Sequence, residues 1–126
     1  MTETPLAFRR ITELAAEMRR GALGPVALAE QLLDRIAAMN PRLHAFLAVT
    51  RDRALAEARA VEKDLASGKK RGPLQGIPYG VKDLVAAKGA PTTWGAAMFE
   101  DRTIDEDATV VPASARRVPS SSRSSR

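Results

Sequence analysis

The chain contains no cysteine, so disulfides, thiolate nucleophiles and cysteine-ligated metal sites are excluded from the outset. Histidine is nearly as scarce: His44 stands alone, which rules out a metal site built on several imidazoles and is expected to be a hydrogen-bonded structural residue. Aromatic residues make up 4% of the 126 positions, leaving Leu, Val, Ile and Ala to build one modest core. No apolar run approaches the roughly 18 residues of a membrane span. Residues 1–5 lack the basic-then-apolar order of a secretory signal, so no membrane partner is expected and a cytoplasmic location is the default. No glycine-rich phosphate cradle with its lysine is present, so no nucleotide cofactor is expected.

Charge is distributed unevenly. The formal charge is +5, but residues 112–126 hold four arginines and no acid, which leaves 16 basic and 15 acidic residues in positions 1–111. The body is therefore close to neutral, and a nucleic-acid partner is not expected from it. The tail's Arg116, Arg117, Arg123 and Arg126 could hold phosphate through counterion release, yet no aromatic side chain accompanies them to stack on bases. Lys69, Lys70 and Arg71 read as a solvated loop.

The order of elements is written in apolar spacing and breakers. Thr12 is expected to cap a first helix whose Ile11, Leu14, Ala15 and Met18 recur at helical spacing, with Arg19 and Arg20 before Gly21. Gly24-Pro25 opens a second helix with Ala29, Leu32, Leu33 and Ile36 on one face, and Asn40-Pro41 is expected to stop it. His44 to Val49 reads as a short extended segment. Thr50 is placed to cap a third helix with Ala54, Ala58, Val61 and Leu65 along its stripe, ended by Ser67-Gly68. A strand is expected at Pro78 to Lys82, continuing extended through Leu84 to Ala86, and residues 89–95 read as loop. Asp107 is expected to cap a fourth helix that Pro112 stops after one turn. Helices, then strand, then helix predict an α/β fold.

The most informative stretch is Gly76-Ile77-Pro78-Tyr79-Gly80-Val81-Lys82-Asp83, an apolar strand pattern delivered by a glycine-proline entry and ending on one lysine. Continued through Pro91-Thr92-Thr93-Trp94-Gly95 and Asp107-Ala108-Thr109-Val110-Val111, it resembles the amidase signature family, over roughly Ile11 to Val111. The resemblance implies hydrolysis or transfer of amide nitrogen without metal or organic cofactor. It also implies that Lys82 is the base of a Ser, cis-Ser, Lys triad whose serines come from a Gly/Ser-rich segment further along. Because that segment does not follow in these residues, the expectation is an amidase truncated before its nucleophile and inactive as this chain. Small carboxamides are the implied substrates. Partner subunits are implied if the chain is similar to the A subunit of tRNA-dependent amidotransferases.

The chemistry agrees with that role for a lysine. An amine acts as a base only when neutral, which requires burial among apolar groups or nearby cations. On a strand, neighbouring side chains point to opposite faces, so Asp83 need not hold Lys82 charged and can bind backbone at the turn instead. Thr92, Thr93 and Trp94 either line a substrate entrance or form a surface turn. Ser120, Ser121 and Ser122 lack the glycines that would aim backbone N–H groups at an oxyanion.

Residues 1–111 are thus read as the N-terminal portion of an amidase domain and 112–126 as a disordered Arg/Ser-rich tail. Serine codons of the TCN type become apolar codons when the frame moves one base. The tail therefore reads as a shifted frame, with one nucleotide lost or two gained near the Val111 codon. The alternative readings are a small non-catalytic module whose basic tail contacts nucleic acid or a protein partner, and a split enzyme completed by a second polypeptide.

Overall fold

The computed structural model of the protein describes residues 4–113. Among these described residues the helices are α1 (Ile11–Arg19), α2 (Pro25–Leu43), α3 (Arg51–Ala66) and the single turn α4 (Val110–Ala113), with 3-10 turns at Leu6–Phe8 and Ala97–Phe99.

Most of the apolar spacing read in α1 and α2 packs, but Ile11 is left exposed and Leu28, which neither stripe included, lies at the centre. Leu14, Met18 and Leu28 form the buried centre, and Leu6, Leu23, Leu32, Leu65 and Ile77 close round it. Ala29 and Leu33 extend the buried face of α2. Pro25 opens α2 as expected, because a missing N–H costs nothing in the first turn. α3 lies against α2 with Ala54, Ala58, Val61 and Leu65 only half-buried, so its stripe is covered from one side. α1 and α3 end the same way. Gly21 and Gly68 both sit at φ +75°, where a side chain would be strained. The next N–H in each case reaches back to the carbonyl five residues earlier, Ala22 to Glu17 at 2.9 Å and Lys69 to Asp64 at 2.8 Å.

Four expectations need correction. Thr12 does not cap α1: the cap lies two residues earlier, at Arg10, with no side-chain bond there. Asn40-Pro41 does not stop α2, which runs on to Leu43 with Pro41 inside it. So near the end, the proline removes a single intrahelical bond. His44 then ends α2 in the left-handed region at φ 48°, its N–H donating to Asn40 O at 2.8 Å. Asn40 itself pairs with the main chain of Phe46, its Nδ2 donating to Phe46 O and its Oδ1 accepting from Phe46 N, both at 2.9 Å. Thr50 does stand at the start of α3, but without a capping side-chain bond. Third, α4 starts at Val110 and includes Pro112, since in a first turn the absent N–H has no intrahelical acceptor to lose. Asp107 is occupied elsewhere.

The fourth correction concerns the strand. No strand forms among the described residues; the single ladder contact is an isolated antiparallel bridge between Pro91 and Thr103. The N–H groups of Tyr79, Gly80, Val81 and Lys82 find no acceptor among the described residues, and a strand exists only by pairing. The described part is therefore helical, followed by a long irregular stretch from Ser67 to Thr109. Beyond Ala113, the Arg/Ser-rich tail and its shifted-frame reading lie outside the described residues.

Candidate functional site around Lys82

Two clasps flank Lys82. On its N-terminal side, Tyr79 Oη donates to the carbonyl of Val111 at 2.6 Å and ties the segment to the start of α4. On its C-terminal side, Asp83 closes a ten-residue loop. One carboxylate oxygen accepts the Thr93 N–H at 2.7 Å, the other accepts the Thr93 hydroxyl, and the Asp83 carbonyl accepts Trp94 N–H at 3.2 Å. The Thr93 hydroxyl oxygen in turn accepts Gly95 N–H at 3.1 Å. Asp83 thus binds the turn, and the lysine beside it is left without an ionic partner among the described residues. Lys82 is exposed here.

The hydroxyl and then the N–H of Thr93, with the nearby Arg102 guanidinium adding a smaller pull, hold the Asp83 carboxyl below its ordinary range despite a partial cost of burial. The linkage sign follows: a depressed folded value stabilises the clasp above the unfolded value of about 3.9, and that stabilisation is lost as pH falls through the folded value. Trp94, the only tryptophan of the chain, sits in the loop that the clasp closes and reports it directly. Acid titration of its emission is expected to show a transition below about pH 4, and Thr93→Val to move that midpoint upward. An unmoved midpoint would exclude Asp83 as the titrating group.

Arg102 organises the far side of the loop. Its guanidinium lies 3.9 Å from the centre of the Trp94 ring and 4.5 Å from that of Phe99, while the two rings meet edge to face at 5.7 Å. Its Nε donates to Thr92 O at 2.9 Å, and its carbonyl accepts Thr92 N–H at 2.8 Å. Thr92 is 1% exposed, and its hydroxyl is buried without a partner among the described residues. Trp94 takes a left-handed conformation at φ 55° and leaves about half its surface in solvent. Thr92 to Trp94 form a clasped turn, with Thr92 packed inside and Trp94 at the surface.

A third tie reaches back to α3. Arg53 donates to Glu57 at 2.8 Å, to Lys88 O at 2.6 Å and to Asp107 at 3.2 Å, and Asp107 also accepts Lys88 N–H at 2.8 Å. The Lys88 N–H first, then Arg53, hold the Asp107 carboxyl below its usual range. Ala108 N–H donates to Ala86 O at 2.9 Å, so the residues after Lys82 are pinned at Asp83, Ala86 and Lys88. Sequence reasoning anticipated the turn-binding of Asp83. It missed Tyr79, Arg53 and Arg102, whose partners lie 32, 54 and 10 positions away.

The other basic candidates are committed elsewhere. Arg71 pairs with Asp64, and Lys69 lies 3.8 Å from the same carboxylate. His44 serves as the left-handed end of α2. No described helix is long and apolar enough to cross a membrane.

Comparison with known proteins decides what this arrangement is part of. The Amidase family model matches residues 27–113, a span that holds Lys82, both clasps and the Arg53 node. The chain belongs to the amidase family. It is 42% identical over 112 residues to the A subunit of the glutamyl-tRNA(Gln) amidotransferase of Streptomyces avermitilis, covering 87% of this chain and 22% of the relative. It is 35% identical over 111 residues to the acylamidase of Rhodococcus erythropolis, covering 88% of this chain and 23% of the relative. A solved chain from a vestigial protein complex that bears on the origins of an s-triazine catabolic enzyme superposes with a TM-score of 0.80 at 29% identity. That match covers 85% of this chain and 24% of the solved one. The chain thus spans about a fifth of the length of these curated relatives.

Proposed function

We propose that this chain carries the base of an amidase reaction, with Lys82 as the lysine of a Ser, cis-Ser, Lys triad acting on carboxamides. The observation that carries the reading is the division of labour at Lys82-Asp83 inside the matched segment: the carboxylate is spent on Thr93, and no acid among the described residues holds the neighbouring amine. A base must accept a proton from the nucleophile, and an ion pair at that amine would oppose it. The complete fold is proposed to be α/β, with Pro78 to Lys82 becoming a strand once paired, and the protein to be cytoplasmic. A stand-alone amidase and an amidotransferase component with partner subunits are both compatible with these residues.

The 126 residues by themselves are proposed to be inactive. Ser67 is the only serine among the described residues, and its hydroxyl donates to Asp64 O at 2.9 Å at the end of α3. The serines of 114–126 have no glycine among them. We further propose that residues 112–126 are read out of frame; downstream DNA whose shifted frame encodes no glycine- and serine-rich segment would refute it.

A chimera tests the role of Lys82. With residues 27–113 of this chain replacing the matching segment of the Rhodococcus acylamidase, amide turnover is expected, and Lys82→Ala is expected to lower kcat by about 100-fold or more. Retention of kcat within threefold would overturn the assignment. The purified 126-residue chain is expected to show no turnover of a small carboxamide, and turnover abolished by Lys82→Ala would refute the claim of inactivity.

A further inference from the structure

Trp94 is held firmly and yet left open. Its ring is 53% exposed although it is gripped from two sides, by the Arg102 guanidinium 3.9 Å from its centre and by the Phe99 ring, edge to face, at 5.7 Å. Arg102 forms no ion pair among the described residues, so its guanidinium is spent on the two rings. The indole N–H has no acceptor among the described residues. Met98, in the same 3-10 turn as Phe99, is 82% exposed and adds a second open apolar side chain.

The backbone fixes where the ring stands. Trp94 holds φ 55°, a region that a bulky residue occupies only where its surroundings impose it, and such positions gather at active sites and ligand clamps. Here the imposing contacts run to the residue after Lys82: Asp83 O accepts Trp94 N–H at 3.2 Å, and the Asp83 carboxylate holds Thr93. Covalent geometry then keeps the Cα of Trp94 within about 11 Å of that of Lys82. That span suits one small molecule with its amide at the lysine and a ring at the indole. An open, oriented aromatic face takes a second ring by stacking, and a conformation fixed in advance loses little freedom on binding. An aliphatic amide has no such face to offer.

We propose that Trp94 is the stacking platform for an aromatic ring carried by the carboxamide substrate, which makes ring-bearing amides the preferred class. The class of substrate rests on the amidase reading given above, whereas binding of the ring at Trp94 does not require Lys82 to act as a base.

The chimera carrying residues 27–113 tests this with phenylacetamide and acetanilide, which bear the ring on opposite sides of the amide, against propionamide. For at least one of the two, Trp94→Leu is expected to lower kcat/KM relative to propionamide by about tenfold or more, with the loss in KM, and Trp94→Phe to restore most of it. A ratio changed by less than about twofold for both overturns the proposal, since the ring then serves packing alone. Binding separates this claim from the catalytic one. With Lys82→Ala in place, Trp94→Leu is expected to raise the dissociation constant of the preferred ring amide by about tenfold in titration calorimetry. Such a rise in a chimera that shows no turnover even with Lys82 intact keeps the platform and removes Lys82 as the base, while an unchanged constant overturns the platform whatever the turnover. In the full 126-residue chain, where Trp94 is the sole tryptophan, the same ring amide is expected to shift the emission at about tenfold lower concentration than propionamide. Equal responses to the two would also overturn the proposal.

Discussion

Leu28→Ala is expected to lower the free energy of unfolding by about 3 to 5 kcal/mol, the upper range for a buried leucine truncated to alanine. Leu28 is 0% exposed and is the hub on which Leu14 and Met18 of α1 close. The side chains packed against this three-residue cluster come from separate elements: Leu6 before α1, Leu23 between the helices, Leu65 at the end of α3 and Ile77 in the irregular stretch. A cavity there cannot collapse without moving several segments at once, so the void term adds to the lost transfer energy. Stability of whole domains is only about 5 to 15 kcal/mol, so this variant is expected to lose a large share of its margin against unfolding. Leu47→Ala, at an open position, is the matched control and is expected to stay within about 0.5 kcal/mol. Urea titration followed by circular dichroism checks both, and a loss below about 1 kcal/mol for Leu28→Ala would show that the cluster is not the core.

Gly76→Ala is expected to be the second most damaging change, at about 2 to 4 kcal/mol from left-handed strain and overpacking together. Gly76 sits at φ +86°, and an added Cβ would fall 2.5 Å from Met18 Sδ and 3.3 Å from Pro25 Cγ. Both neighbours are buried, Met18 in α1 and Pro25 in the first turn of α2, so neither can swing into solvent. The glycine is where the segment leading to Lys82 meets Met18 of α1 and Pro25 of α2. Gly21→Ala separates the two contributions: its φ is +75° with nothing within 4 Å of the added Cβ, so it carries the backbone strain alone. In thermal melts Gly76→Ala should fall clearly below Gly21→Ala, and equal losses would remove the steric part of the argument.

How far the sequence foretold this depends on the range of the interactions. Leu14, Met18, Ala29 and Leu33 announce their burial because helical spacing is local. Asp83 at a turn was likewise readable, since a short carboxylate followed by a loop has few better partners than backbone N–H groups. Pro41 misled because its effect depends on how many helical bonds remain after it, and near the end of α2 only one is lost. Thr12 misled because a capping residue type says nothing of which residue the chain turns at. The strand expected at Pro78 to Lys82 was read from side-chain pattern alone, while a strand also needs a neighbour that the described residues do not supply. Arg53 and Arg102 gave no local signal. The first meets Asp107 across 54 positions, and the second is recognisable only once the loop brings Trp94 and Phe99 beneath its guanidinium.

Glu17 and Asp64 double the hold at the ends of α1 and α3. Each supplies the carbonyl that receives the long return bond past the glycine, and each carboxylate takes an arginine, Arg9 in one case and Arg71 in the other. The Arg9 guanidinium keeps the Glu17 carboxyl ionised below its usual range. Both stop signs are therefore written within about ten residues of sequence and ask nothing of distant chain. The lengths of these two rods are therefore fixed by local chain, whatever packs against their sides.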